Sequence, residues 1–227
     1  MKKLSFLAAA AALALSTAGT AYAAKAAPVA VHVGNGVKVQ QFVSNTSSAV
    51  LYDQTASDSG NGIVSQNFES TFDAYDNQAA DDFVVPAGKS WTIKEIDVPG
   101  AYFNGVGPAV SQNVTIYSDK KGLPGKVVAT FADVAGADNG TGSFKIKLPK
   151  KVKLTAGTYW VSVQANMDFA VGGEWAWENQ TTTEGKGAAW QNPGDGFGSG
   201  CTKYAAESKC IPDSPGDHMF KLIGKGK

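Results

Sequence analysis

Apolar and polar residues alternate with a period of two along most of the chain after Ala49. Tyr159, Val161 and Val163 alternate with Trp160, Ser162 and Gln164, which predicts a strand with a distinct face on each side. Phe144, Ile146 and Leu148 alternate with Lys145 and Lys147, so one face of that strand is core and the other solvent. In SQNVTIYSD, Val114 and Ile116 face away from Thr115 and Tyr117. Further strands are expected in AVLYDQ, GIVSQNF, DDFVV, SWTIKEIDV, KVVATFADV, GGEWAWENQ and HMFKLIG. In SWTIKEIDV the apolar phase switches at Lys94-Glu95, from Trp91 and Ile93 to Ile96 and Val98. That switch predicts a β-bulge. Turn signals separate the strands: Asn61-Gly62, a type II turn at Pro124-Gly125, and Asp138-Asn139-Gly140. AYFNGVGPA reads as a loop, and no segment carries a useful helical period. Strands recurring about every ten residues predict an all-β protein, a single antiparallel β-sandwich of jelly-roll type over residues 49–227.

The first 23 residues have another character. Met1-Lys2-Lys3, a short alanine-rich apolar run and Ala21-Tyr22-Ala23 make a secretory signal peptide with its A-x-A cleavage site. The run is too short to span a membrane, and no later segment is apolar enough to anchor the chain. Residues 24–48 read as a valine hairpin about Asn35-Gly36, followed by a polar connector. The expected location is outside the cytoplasm, extracellular or periplasmic. In that compartment Cys201 and Cys210, the only two cysteines, pair by default. Closing so short a loop contributes about 2 to 3 kcal/mol.

Charge narrows the range of partners. The chain has no arginine, and cleavage of the signal leaves 18 lysines against 20 acidic residues. Without arginine or a basic stripe, nucleic acid is not an expected partner. The 26 glycines and the charged fraction of 18% suit a turn-rich β protein.

Candidate chemistry concentrates between Leu154 and Cys201, which hold four of the five tryptophans. Trp175 and Trp177 share one face of their strand, about 7 Å apart, a spacing suited to a stacking platform for sugar rings. Trp190 lies in a long glycine-rich polar stretch, where a surface loop is expected. These three are the candidate ligand-binding residues. Glu174 and Glu178 stand about 13 Å apart along the strand, too far for a glycosidase pair. Asp81 and Asp82 close an acidic stretch that supplies candidate ligands for calcium. They open a strand, so only one can face inward. The G-x-S-x-G and H-E-x-x-H patterns are absent. His218, beside Asp217, is the one histidine of the sandwich domain, and neighbours on a strand point opposite ways.

Several of these segments, AADDFVVPAGKSWTIKEIDVPGAY, NVTIYSDKKGLPG, LTAGTYWVSVQANMDF and AAWQNPGDGFGSGC, resemble as a set a family of uncharacterised exported bacterial β-sandwich proteins. The resemblance runs from about Val50 to Gly224 and implies an extracellular sandwich. Some members of that family carry a C-terminal anchoring tail. This chain ends at Lys227 without one, so the resemblance does not carry surface attachment with it. The leading expectation is a secreted, non-catalytic binding module for polysaccharide or cell-envelope material. A structural extracellular or matrix protein, stabilised by calcium, is the second reading, and a secreted hydrolase using His218 is the third.

Overall fold

Two mostly antiparallel sheets account for the alternation. A computed structural model describes residues 30–32, 48–214 and 216–227. The signal peptide, its cleavage site and the Asn35-Gly36 turn lie outside the described residues. In chain order the strands are β1 (Ala30–His32), β2 (Ala49–Gln54), β3 (Asp58–Val64), β4 (Gln66–Asn67), β5 (Gln78–Val98), β6 (Gly100–Phe103), β7 (Ser111–Asp119) and β8 (Pro124–Val134). They continue with β9 (Gly136–Asp138), β10 (Phe144–Asn166), β11 (Glu174–Gln180), β12 (Ala189–Gln191), β13 (Ala205–Ala206), β14 (Asp217–His218) and β15 (Phe220–Gly226). A 3₁₀ turn (Ser70–Tyr75) and two single-turn helices, α1 (Phe169–Gly172) and α2 (Glu207–Cys210), interrupt them.

The smaller sheet has the order β1-β3-β11-β14, with β6 also on β11. The first described strand therefore joins this sheet beside β3. AYFNGVGPA is not all loop, because Gly100–Phe103 pair with Trp177–Glu174. The larger sheet runs β13-β12-β5-β10-β7-β8, and β15 lies between β5 and β2. Its axis is the long antiparallel pair β5 and β10, paired from Phe144 opposite Val98 to Val161 opposite Asp81 with register shifts between Lys147 and Val152 and between Thr155 and Gly157. The expected bulge is present: Ile223 pairs with Glu95 and Gly224 with Ile93, so β5 has Lys94 as an extra residue.

One turn differs from expectation. Lys121 (φ 59°) and Gly122 (φ 78°) both adopt left-handed backbone, and the Lys120 N–H donates to the Leu123 carbonyl at 2.9 Å. That makes a primed two-residue turn centred on Lys121-Gly122, whose twist suits the β7-β8 hairpin. Pro124 and Gly125 already belong to β8.

The core lies between the sheets. Trp175 and Trp177 of β11 meet Phe144 of β10 at 5.1 Å and Phe220 of β15 at 6.2 Å. Tyr159 lies with its ring on Phe83, 5.9 Å away. The Cys201–Cys210 disulfide forms with Cα atoms 5.8 Å apart. It ties the segment after β12 to α2, and Cys210 Sγ sits 3.7 Å from the Trp190 carbonyl. Reduction is expected to lower stability by about 2 to 3 kcal/mol, read as a lower urea midpoint for the reduced and alkylated protein. An unchanged midpoint would show that the cross-link constrains nothing.

Candidate functional site

The three tryptophans proposed as a ligand platform are in the core, and that assignment is corrected. Trp175 and Trp177 are 0% exposed and Trp190 is 1% exposed. Each indole N–H is also used internally. Trp175 Nε1 donates to the Gly142 carbonyl at 2.7 Å, Trp177 Nε1 to Met219 at 2.8 Å and Trp190 Nε1 to Val64 at 3.0 Å. The site around Trp175 is shaped to hold it, since a Cβ on Gly100 would lie 2.4 Å from Nε1. Trp190 belongs to no exposed loop. It pairs opposite Ala79 in β12 and packs on Phe197 at 6.0 Å. The glycine-rich stretch that follows folds back, pinned by Asn192 Nδ2 donating to the carbonyls of Ala74 and Asp76, both at 2.8 Å. Buried indoles cannot stack on a ligand, so the aromatic platform is withdrawn.

Asp81 and Asp82 do take opposite faces, and both are buried, at 0% and 2% exposure. Asp81 points inward, where Oδ2 accepts from His218 N at 2.6 Å and Gln54 Nε2 at 2.8 Å. Burial, and then Asp217, raise its pKa well above the ordinary value. Asp82 points outward beneath an exposed loop and accepts from Lys186 N at 2.8 Å. The two carboxylates thus diverge, each tied to backbone N–H groups, and Asp81 Oδ1 accepts from Asp82 N. Among the described residues no group of three or more His, Cys, Asp or Glu is arranged to hold a metal ion. The arrangement does not fit a calcium loop, which needs six to eight converging oxygens.

His218 is bound to a carboxylate, but not to its neighbour Asp217. Its Nε2 lies 2.8 Å from Glu207 Oε2, and Nδ1 lies 3.4 Å from Asn179 Nδ2. Hydrogen on Nε2 satisfies both contacts. Trp177 stacks on the imidazole at 4.7 Å, and His218 and Glu207 are 0% and 1% exposed. A substrate has no path to this pair. The geometry is that of a hydrogen-bonded polar cluster in the core, linking α2 and β14 to β11, with Asn179 Oδ1 left without a partner.

The polar feature that does reach solvent is on the outer face of the larger sheet, and sequence reading passed over it. Strand alternation sends Gln191, Gln78, Gln164 and Asn113 outward from β12, β5, β10 and β7, which are neighbours in that order. Gln191 Nε2 donates to Gln78 Oε1 at 2.7 Å, and Gln78 Nε2 reaches Gln164 Oε1 at 3.5 Å. Asn113 Nδ2 donates to the same Gln164 oxygen at 3.0 Å. Asn113 and Asn166 then exchange amide hydrogen bonds of 2.9 and 3.0 Å. Asn166 Nδ2 continues to Ser111 Oγ at 2.8 Å and to Asp133 Oδ1 of β8 at 3.1 Å. The row crosses five strands, about 19 Å at the usual strand spacing. Gln191, Gln78, Asn113 and Asn166 are half-buried and Asp133 is exposed.

Two tyrosines flank the row on the same face. Tyr117 and Tyr204 meet edge to face at 5.6 Å, and Tyr204 Oη donates to Ser162 Oγ at 3.2 Å. They cover Trp160, whose Nε1 donates to Asp119 at 3.0 Å. The signal for this surface was legible as the polar phase Ser111, Asn113, Thr115, Tyr117 of one strand and Ser162, Gln164, Asn166 of another. Only the strand order adds Gln78 and Gln191 to it.

No helix among the described residues is long and apolar enough to cross a membrane. In comparisons with known proteins, no family model, no curated protein and no solved structure matches this chain.

Proposed function

We propose that this protein is an exported, non-catalytic binding module for polysaccharide or cell-envelope material, and that it binds on the outer face of the larger sheet. The observation that carries this reading is the amide row from Gln191 to Asn166. Each amide offers two N–H donors and a carbonyl acceptor. Within the row's bonds Gln191 and Gln78 keep donor and acceptor capacity and Asn166 keeps an acceptor lone pair, while Asn113 is fully engaged with Gln164, Asn166 and the Asp133 N–H. Held rigidly by sheet backbone and by those mutual bonds, the groups lose little freedom when a ligand docks, which favours affinity. Tyr117 and Tyr204 supply apolar ring surface beside the polar row. The signal sequence expected at the N-terminus and the disulfide accord with a place outside the cytoplasm. A hydrolytic reading finds no support in His218, because that side chain is enclosed with Glu207.

Asn113→Ala deletes the amide that bonds to Gln164 and Asn166. It unpins the neighbouring amides of the row and is expected to weaken binding severalfold. Depletion of the protein from solution by insoluble polysaccharides and cell-wall preparations measures this. Equal depletion of the variant and the parent by the same material would remove the row from the binding surface.

A further inference from the structure

The outer face also bears on the charge of its ligand, an inference that rests on the binding role proposed above. The groups that build the row are neutral amides and a hydroxyl, each able both to donate and to accept. The one charged side chain bonded into it is Asp133, whose Oδ1 accepts from Asn166 Nδ2 at 3.1 Å and from Ser111 Oγ at 3.3 Å. Asp133 is fixed in place by its own backbone: φ is 52°, and its N–H donates to Asn113 Oδ1 at 3.1 Å. Among the described residues no lysine takes part in the hydrogen bonds of the row, and the chain has no arginine.

Such a surface discriminates by charge. A sugar hydroxyl donates and accepts, so it pairs with either end of an amide. A carboxylate or sulfate only accepts. It would meet the fixed Asp133 carboxylate with no cation in the row to offset the repulsion. Arginine, the side chain suited to two-point recognition of such anions, is missing from the chain altogether. We infer that the row from Gln191 to Asn166 is a subsite for an uncharged polysaccharide laid across the strands, and that Asp133 turns anionic chains away.

Affinity electrophoresis of the protein tests this in gels carrying hydroxyethylcellulose, galactomannan or starch, against gels carrying polygalacturonate or alginate at low salt. At least one neutral polymer is expected to retard the protein, and neither polyuronate should. Asn113→Ala and Gln191→Ala should each raise the dissociation constant for the neutral polymer severalfold, with thermal midpoints near that of the parent. Asp133→Asn should admit polygalacturonate, read as a retardation in that gel that the parent does not show. If a polyuronate retards the parent and Asn113→Ala abolishes that, the charge inference is wrong while the binding role stands. Retardation by a neutral polymer that ignores both Asn113→Ala and Gln191→Ala would overturn the subsite. Retardation by none of the five polymers would contradict the inference and remove the support for the binding role with it.

Discussion

Replacing Trp177 by alanine is expected to destabilise the fold by about 3 to 5 kcal/mol, the usual cost of truncating a large buried aromatic. The residue joins three parts of the molecule. Its ring lies 6.5 Å from Trp175, 4.7 Å from His218 and 6.2 Å from Phe220, and its indole N–H holds the Met219 carbonyl at 2.8 Å. Truncation leaves a cavity between the sheets, an unpaired buried carbonyl and an imidazole without its stacking partner. Such a loss is a large share of the 5 to 15 kcal/mol that typically separates folded from unfolded chains. Urea unfolding of the variant measures it. A loss below about 1 kcal/mol would mean that the indole lies in water after all, and would restore the sugar-stacking platform expected from sequence.

Stability is expected to fall as the pH rises from about 4.5 to 7. Asp97 and Glu178 are each 1% exposed, and burial raises the pKa of each to about 7, with Glu95 adding to the shift of Asp97 and Asp58 to that of Glu178. Asp217 is raised to about 6, again chiefly by burial. A carboxyl with a raised pKa binds its proton more tightly in the folded state than in the unfolded one. Its contribution is therefore whole below the unfolded value near 4 and is lost as the pH climbs through the folded value. Each group contributes a slope of up to about 1.4 kcal/mol per pH unit inside its own window. Lys145 and Lys221, which lower the pKa of Asp97, moderate its share. Asp97→Asn keeps the shape and removes the titration, so it should flatten the curve and raise stability at pH 8. Unfolding free energies measured from pH 4.5 to 8 decide this. A curve that rises with pH would show these carboxylates to be stabilised as anions.

Alternation made the longer strands of the larger sheet legible, together with the inward phase of β7 and β10 and the bulge at Lys94. It did not reveal which face of β11 is covered. A period of two says which residues share a face, and both faces of this strand are buried: Glu178, Asn179 and Gln180 are at most 1% exposed. The tryptophans and Glu178 of β11 therefore read like a half-open strand while lying in the interior. Trp190 was illegible for a different reason. Its strand, Ala189–Gln191, is three residues long, too short for any alternation to register among the surrounding glycines. Asp81 and Asp82 were correctly expected to diverge. Their partners Gln54, His218 and Lys186 come from distant parts of the chain, so their burial had no local signal. The outer row shows the same limit from the other side. Its polar phase is written in β7 and β10, but its length depends on β12 pairing with β5.

The proposed binding belongs to the outer amide row and leaves the tryptophans untouched. Side-chain amide and indole NMR signals, followed while a soluble oligosaccharide of the bound polymer is titrated in, test it most directly. The expected result is shifts in the side-chain amides of Gln191, Gln78, Asn113 and Asn166, with the indole signals of Trp175, Trp177 and Trp190 unmoved. Shifts in those indoles with a silent amide row would contradict the account and place the ligand elsewhere on the molecule.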